Sequence, residues 1–328
     1  MMIEHFWKCK NFIKIRIGFN LSLAYKYLDK ASLEANHLER LKLCVSFFIT
    51  NLNHTLIGYK PFNPILGETY QAVIKSPDTK DIENKSNIKI YAEQTSHHPP
   101  ILNFYGLSDS YKIKGFRETS AIASGNSVIA NVQGPFNIEF KDANITAYFP
   151  PFSFFGLVYG KRMFGYNGIF KIEDTKNGLI TIIDINPKQQ SKGFFGSIFG
   201  KKEKIFPDYF KGYIAKTTDV KYDQKKNIYN VDENKILSHI EGEYNNYVEI
   251  DGKNTWNIAE YPFADIYLQN YMLPSDSQFR SDLILYKNEK IEMAQYAKMN
   301  MEDLQRKDVK LRKKYQEIKE KNEKVKKK

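Results

Sequence analysis

The chain has 328 residues, 42% of them hydrophobic, with 23 Phe and 22 Tyr, enough to bury a sizeable core and still line a ligand cavity with aromatic walls. Its formal charge is +11, and residues 307–328 alone hold ten Lys and one Arg against four acids, seven of those eleven net charges. The most apolar run, Leu41 to Leu52, is broken by Lys42 and too short to span a bilayer. Basic residues from Lys8 to Arg16 interrupt any signal-peptide core, and Cys9 and Cys44 make no metal spacing and at most one disulfide, which points to a reducing, cytoplasmic setting.

Residues 1–20 read as an amphipathic segment in which Phe6, Trp7, Phe12, Ile13, Ile15 and Ile17 alternate with basic residues; it either packs on the core or stays mobile and touches membrane. Residues 21–57 read as helical, with Leu23, Tyr27, Leu28 and Ala31 on one face, then Leu38, Leu41, Val45, Phe48 and Ile49 on another. Pro61, Pro64 and Gly67 make 60–67 a rigid loop. From about 68 to 260 the pattern is that of strands. Turn signals at Ser124-Gly125-Asn126, Asn177-Gly178 and Asp251-Gly252 separate alternating runs, and no helices intervene, so a large antiparallel sheet or barrel is expected. No Gly-rich phosphate loop follows a strand, which argues against a nucleotide fold. Residues 262–280 are a Pro-punctuated connection. From about Asn288 the chain reads as one long charged helix with an apolar stripe of Met293, Ala294, Ala297, Met301 and Leu304, followed by a half that is polar nearly all round. A basic end of this kind suits a nucleic acid, an anionic membrane or plain solubility.

The most informative stretch is Glu93-Gln94-Thr95-Ser96-His97-His98-Pro99-Pro100. On a strand, two adjacent histidines point to opposite faces, and proline holds the residue before it extended. The pair is therefore expected at a strand end or loop with little freedom, where imidazoles can donate hydrogen bonds to an oxyanion such as phosphate. Adjacent histidines lack the i, i+4 geometry of a helical metal site and no Cys, Asp or Glu cluster completes a set, so no metal is expected. Glu93 and Ser96 beside the pair raise hydrolase or phosphotransfer chemistry as an alternative, but no nucleophile-elbow motif accompanies them.

The octapeptide resembles a signature of the oxysterol-binding-protein family. A second signature precedes it at Lys60-Pro61-Phe62-Asn63-Pro64-Ile65-Leu66-Gly67-Glu68-Thr69-Tyr70. A third follows at Leu273-Pro274-Ser275-Asp276-Ser277-Gln278-Phe279-Arg280-Ser281-Asp282, where Ser275 and Ser281 replace the family's usual prolines. The resemblance covers roughly residues 12–312. It implies a mainly β fold, a large incomplete antiparallel barrel enclosing a hydrophobic tunnel, with an N-terminal lid, flanking helices and a long C-terminal helix. It divides the chain into a lid-like segment 1–20, a lipid-binding domain 21–312 and a basic tail 313–328.

The resemblance also implies a function: carriage of one lipid at a time between membranes, phosphatidylinositol 4-phosphate in exchange for a sterol, or phosphatidylserine in some members, without catalysis and without a cofactor. For the headgroup it implies His97 and His98 on the 4-phosphate, Lys60 on the headgroup phosphates, Asn63 in the same loop, and a helical triplet Lys298, Glu302 and Arg306 completing the pocket. Residues at i, i+4 and i+8 do share a stripe, although an exposed ion-pair ladder has the same spacing. Glu302, an anion, would orient its basic neighbours or accept from an inositol hydroxyl. Lys192 to Lys202, with its Gly-Phe repeats between lysines, reads either as part of the fold or as a membrane-inserting loop. The expected partners are a lipid and anionic membrane surfaces, with no nucleic acid; the expected state is a cytoplasmic monomer that meets membranes peripherally and transiently.

Overall fold

Asn36 divides the N-terminal helical region in two. Its side-chain oxygen accepts from the backbone N–H of Leu38 and Glu39, an N-cap that ends the first face and starts the second. The helices are α1, Ala24–Leu33, and α2, His37–Asn53. The computed structural model describes residues 21, 23–53, 63–75, 87–160, 163–187, 208–225, 228–258 and 264–326. The segment 1–20, Cys9, Lys60 and the Gly-Phe stretch 192–202 lie outside them.

The strands are β1 Thr69–Lys75, β2 Asn87–His97, β3 Pro100–Leu107, β4 Lys112–Ser124, β5 Ser127–Gln133, β6 Phe136–Glu139, β7 Asn144–Tyr148, β8 Phe152–Phe155 and β9 Met163–Tyr166. They continue as β10 Gly168–Asp174, β11 Leu179–Ile185, β12 Tyr209–Lys216, β13 Lys221–Asp223, β14 Ile228–Asn230, β15 Ile236–Glu243, β16 Tyr247–Ile250, β17 Lys253–Asn257 and β18 Asp265–Leu268. Among the described residues, sixteen of them make one sheet in the order β17-β16-β15-β12-β11-β10-β7-β6-β4-β3-β2-β1-β18, with β5, β8 and β9 carried on β4. Neighbours are antiparallel and the two ends do not meet, so the sheet is an incomplete barrel. The three turn signals fall where the sequence puts them. Asp251 and Gly252 both have positive φ, 52° and 72°, as a type I′ hairpin turn requires.

Alternation fixes which face is inside. In β2, Ile88, Ile90 and Ala92 are buried while Asn87 and Lys89 are exposed. α2 lies against β7, β16 and β17, and its Phe48 meets Phe136 and Phe170 edge-on at 5.3 and 6.4 Å. Cys44 is a buried free thiol on the same helix, and burial pushes its pKa up; it is a packing residue.

The C-terminal part is α3, Ser281–Lys287, and α4, Ile291–Lys326. α4 runs without a break through residue 312, and every described residue from Val309 to Glu323 is exposed. One expectation is corrected in part. Of the expected stripe, Ala294, Ala297 and Met301 are covered while Met293 and Leu304 are exposed, and the covered face of α4 also takes in Lys298 and Gln305. Methionine and leucine at helical spacing do not say which neighbour is present to cover them. No described helix is long and apolar enough to cross a membrane.

Candidate functional site

β2 and β3 form a hairpin whose turn is His98-Pro99, joined by a cis peptide bond, with His97 paired to Pro100. A bulge between Gln94 and Ser96 shifts the register just before the turn. Only His97 is on the strand, so the two rings do not take opposite faces. They meet edge-on, centroids 4.6 Å apart. His98 is exposed and His97 half-buried. Burial lowers the His97 pKa, the second imidazole lowers it further, and the Glu302 carboxylate opposes both. At pH 7 the His97 ring is therefore neutral and acts as a hydrogen-bonding group rather than a fixed cation. Its Nδ1 is buried with no hydrogen-bond partner among the described residues, which in a folded protein calls for a reason.

Beside the turn is a cavity of about 300 Å³ lined by Asn63, Gln94, His97, His98, Arg117 and Thr119, among others. Arg117 is a residue that the motif-based reading missed. It is buried, its guanidinium lies 4.1 Å from the centre of the Phe149 ring, and it donates to the Gly134 carbonyl at 3.5 Å. Its signal was in the alternation. Tyr111, just before β4, and Ile113 and Arg117 within it share the inward phase, and a basic residue in a core-facing position marks either an ion pair or a ligand.

The three signature segments meet at this cavity. Gly67 N donates to the Gln94 carbonyl and Gln94 N to the Glu68 carbonyl, which locks the 63–70 loop against β2. The third segment closes the other side: Thr69 N donates to the Ser275 carbonyl, and Gln71 N to the Asp276 carboxylate at 2.8 Å. Buried Arg280 forks onto Asp282 at 3.0 and 2.7 Å, and its other nitrogen reaches Glu68 at 2.7 Å and the Asn63 carbonyl at 2.8 Å. Asn63 is thus held on the cavity wall by a buried ion network. The two serines that replace prolines fit locally. The Ser275 hydroxyl lies 3.1 Å from that of Thr69, and Ser281 is the first residue of α3, a position where proline and serine are both accepted.

α4 contributes the remaining candidates. Lys298 and Glu302 are half-buried and 3.6 Å apart. The Glu302 carboxylate acts electrostatically on His97. Arg306 is 63% exposed, pairs with Glu302 at 3.4 Å and also bonds Asp303, so it stands at the edge of the site, held by its own helix. Of the sequence-derived residues, Asn63, His97 and His98 line one cavity, Lys298, Glu302 and Arg306 form an ion-paired row on α4 whose Glu302 acts on His97, and Lys60 lies outside the described residues. Gln305, on the covered face of α4, buries its Nε2 with no described partner and is a further polar group that spacing alone did not single out.

A family model described as oxysterol-binding protein matches residues 21–327. Oxysterol-binding protein 9 of Dictyostelium discoideum is 34% identical over 288 residues, covering 87% of this chain and 64% of that protein. Oxysterol-binding protein-related protein 8 of Mus musculus is 30% identical over 182 residues, 53% of this chain and 20% of that protein. The chain thus spans less than two thirds of the length of these relatives. Among solved structures, the Osh1 ORD domain in complex with ergosterol superimposes with a TM-score of 0.70 at 19% identity, over 94% of this chain and 74% of that one. The Osh3 ORD of Saccharomyces cerevisiae in complex with PI(4)P gives 0.65 at 18% identity, over 93% and 78%. The fold is shared with these domains, and with the family model matched over nearly its whole length the chain belongs to the oxysterol-binding protein family.

Proposed function

We propose that the chain carries lipids between membranes one molecule at a time, without catalysis, taking phosphatidylinositol 4-phosphate with its headgroup at the histidine turn and exchanging it for a sterol. The observation that carries this reading is the set of polar groups lining the cavity: His97, whose buried Nδ1 has no partner among the described residues, with His98, Arg117 and Asn63. Imidazole N–H groups, an amide and a guanidinium suit a phosphorylated inositol, and Arg supplies a planar fork for phosphate. Lys298 on α4 and Lys60, the cation that the family resemblance assigns to the headgroup, would add positive charge. Ergosterol and PI(4)P, bound in the two structural neighbours, belong to the two lipid classes of the proposed exchange. The test is a vesicle-to-vesicle transfer assay together with mass spectrometry of lipids that co-purify from cells. Failure to move either lipid while still binding it would make the protein a sensor rather than a carrier.

Two predictions follow from α4. Arg306→Glu should weaken phosphoinositide binding more than Arg306→Ala, because it removes a cation and adds an anion next to Glu302 and the ligand. Sterol uptake should be the same in both, since a sterol is uncharged. If Arg306 serves only its helix ladder with Glu302 and Asp303, both variants bind normally and lose about 0.3–0.5 kcal/mol of helix stability per pair. Displacement of a fluorescent sterol by phosphatidylinositol 4-phosphate separates the two.

Removing residues 313–328 should leave lipid binding in solution intact, because every described residue from Lys313 to Glu323 is exposed. Cosedimentation with anionic vesicles should fall about tenfold or more and lose most of its salt dependence, since basic residues near an anionic surface are worth about 1 kcal/mol each. A truncated protein that unfolds would instead make this end of α4 a packed element.

A further inference from the structure

Four strands run past the rest of the barrel at the histidine turn. β3 pairs with β4 only as far as Ile101 opposite Glu118, but β4 continues to Ser124. The six extra residues are about 20 Å of strand. The first of them, Thr119, lines the cavity, so the extension rises from the cavity's own rim. β5 pairs back on β4, β8 on β5 and β9 on β8. The extension departs from the barrel near Gly134, φ 108°, where a Cβ would collide with the Phe116 carbonyl.

Register sorts its side chains. Ala130, Phe152 and Tyr166 share one rung, and Val128, Phe154 and Phe164 the rung two places on. The aromatics of this face form a ladder, Phe154–Phe164 at 5.0 Å, Phe152–Phe164 at 5.3 Å and Tyr166–Tyr244 at 5.6 Å, which roots the extension in the barrel. The other face shows Ile122, 61% exposed, with Phe155 and Met163. At the tip, Val158 and Tyr159 are 79% and 74% exposed, with Leu157 beside them. Asn126 fixes the tip: its Oδ1 accepts from Val158 N and Tyr159 N at 2.7 and 3.1 Å, and its Nδ2 donates to the Tyr159 carbonyl at 2.8 Å. Residues 119–135 and 149–160 contain no Asp, Glu, Lys or Arg. An apolar tip held out in solvent by its own hydrogen bonds is not a core residue that missed its place.

We propose that this extension is a bilayer-docking wedge, whose tip enters the interface of an anionic membrane and seats the headgroup cavity over it. The choice of occupant rests on charge. Beyond Glu302, α4 runs on as an exposed basic arm, and the wedge sequence has no acid in residues 119–135 and 149–160 and is followed at once by Lys161 and Arg162, so an apolar wedge is accompanied by basic charge. That combination matches a surface with anionic heads over an apolar interior, and a second copy of the chain would bring like-charged arms together. Tyr159 has the amphipathic ring suited to the headgroup boundary. The wedge deepens the proposed function, since the membrane it meets would be the one that supplies the lipid.

The test uses the full chain and vesicles of phosphatidylcholine and phosphatidylserine. In Val158→Trp, the introduced indole should shift to the blue on vesicle addition and be quenched by brominated acyl chains, beyond the change seen in the parent protein. Leu157→Asp with Val158→Asp should reduce cosedimentation with the same vesicles about tenfold or more, while binding of water-soluble short-chain phosphatidylinositol 4-phosphate is unchanged. An unshifted indole with full cosedimentation of the aspartate variant overturns the wedge. So does a parent protein that is dimeric by equilibrium sedimentation and becomes monomeric in that variant, because the tip then meets a second copy. Should the aspartate variant fail to fold, the indole measurement decides alone. Loss of short-chain lipid binding by the parent protein would count against the headgroup reading and leave the wedge standing.

Discussion

Replacing both His97 and His98 by alanine should abolish extraction of phosphatidylinositol 4-phosphate from vesicles while the protein stays folded. Each imidazole is proposed to hydrogen-bond a charged phosphate, worth about 1.5–3 kcal/mol per bond. Loss of both amounts to about 3–6 kcal/mol, or roughly a hundred- to ten-thousandfold in affinity. The fold should tolerate the change because the hairpin is held by its register and by Pro99 and Pro100, and because neither ring belongs to the buried core. The two rings need not contribute equally. His97 has the buried Nδ1 and the depressed pKa, so it stands to gain most when a phosphate arrives, and its single replacement should account for the larger share. Circular dichroism and a thermal melt establish folding. Extraction at the parental level by a folded double variant would rule out the cavity as the headgroup site.

Much of this was legible in the sequence because it rests on local rules. The glycine turns at 125, 178 and 252 need positive φ, which few other residues supply cheaply. The strands show their buried face by alternation, and two adjacent histidines before two prolines have few places to go. What escaped the sequence depends on partners distant along the chain. The kinks near Gly134 and Gly168 split long strands into a barrel part and an extension, and nothing in a period-2 pattern says that β8 leaves β7's neighbours to follow β5. The apolar stripe of α4 is covered at Ala294, Ala297 and Met301 but exposed at Met293 and Leu304, and the covered face includes the polar Lys298 and Gln305, which a hydrophobic pattern does not single out. Arg117 was visible as a misplaced charge, but its neighbour Phe149 lies 32 residues on, and only the β4–β6–β7 path brings them together.

The second large effect should come from Arg280, which lies outside the lipid contacts but holds them in place. Arg280→Ala should destabilise the fold by about 3–5 kcal/mol, the cost of breaking a buried ion network by removing one partner. That is a large part of a domain's usual 5–15 kcal/mol. Two carboxylates, Glu68 and Asp282, would remain buried without their common cation. Alanine also removes the donor to the Asn63 carbonyl, so headgroup affinity should fall even in the folded fraction. Arg280→Lys should restore only part of the loss, because one ammonium cannot fork onto Asp282 and still reach Glu68 and Asn63. The sign of the pH dependence follows from linkage. In the alanine variant the unpaired carboxylates are easier to protonate folded than unfolded. Their penalty should therefore ease as pH falls from 7 towards 5, and the gap between variant and parent should narrow. Urea denaturation at both pH values measures this. A gap below about 1 kcal/mol at pH 7 would mean that water, not Arg280, satisfies the two carboxylates, and that the three signature segments are held together by their backbone hydrogen bonds alone.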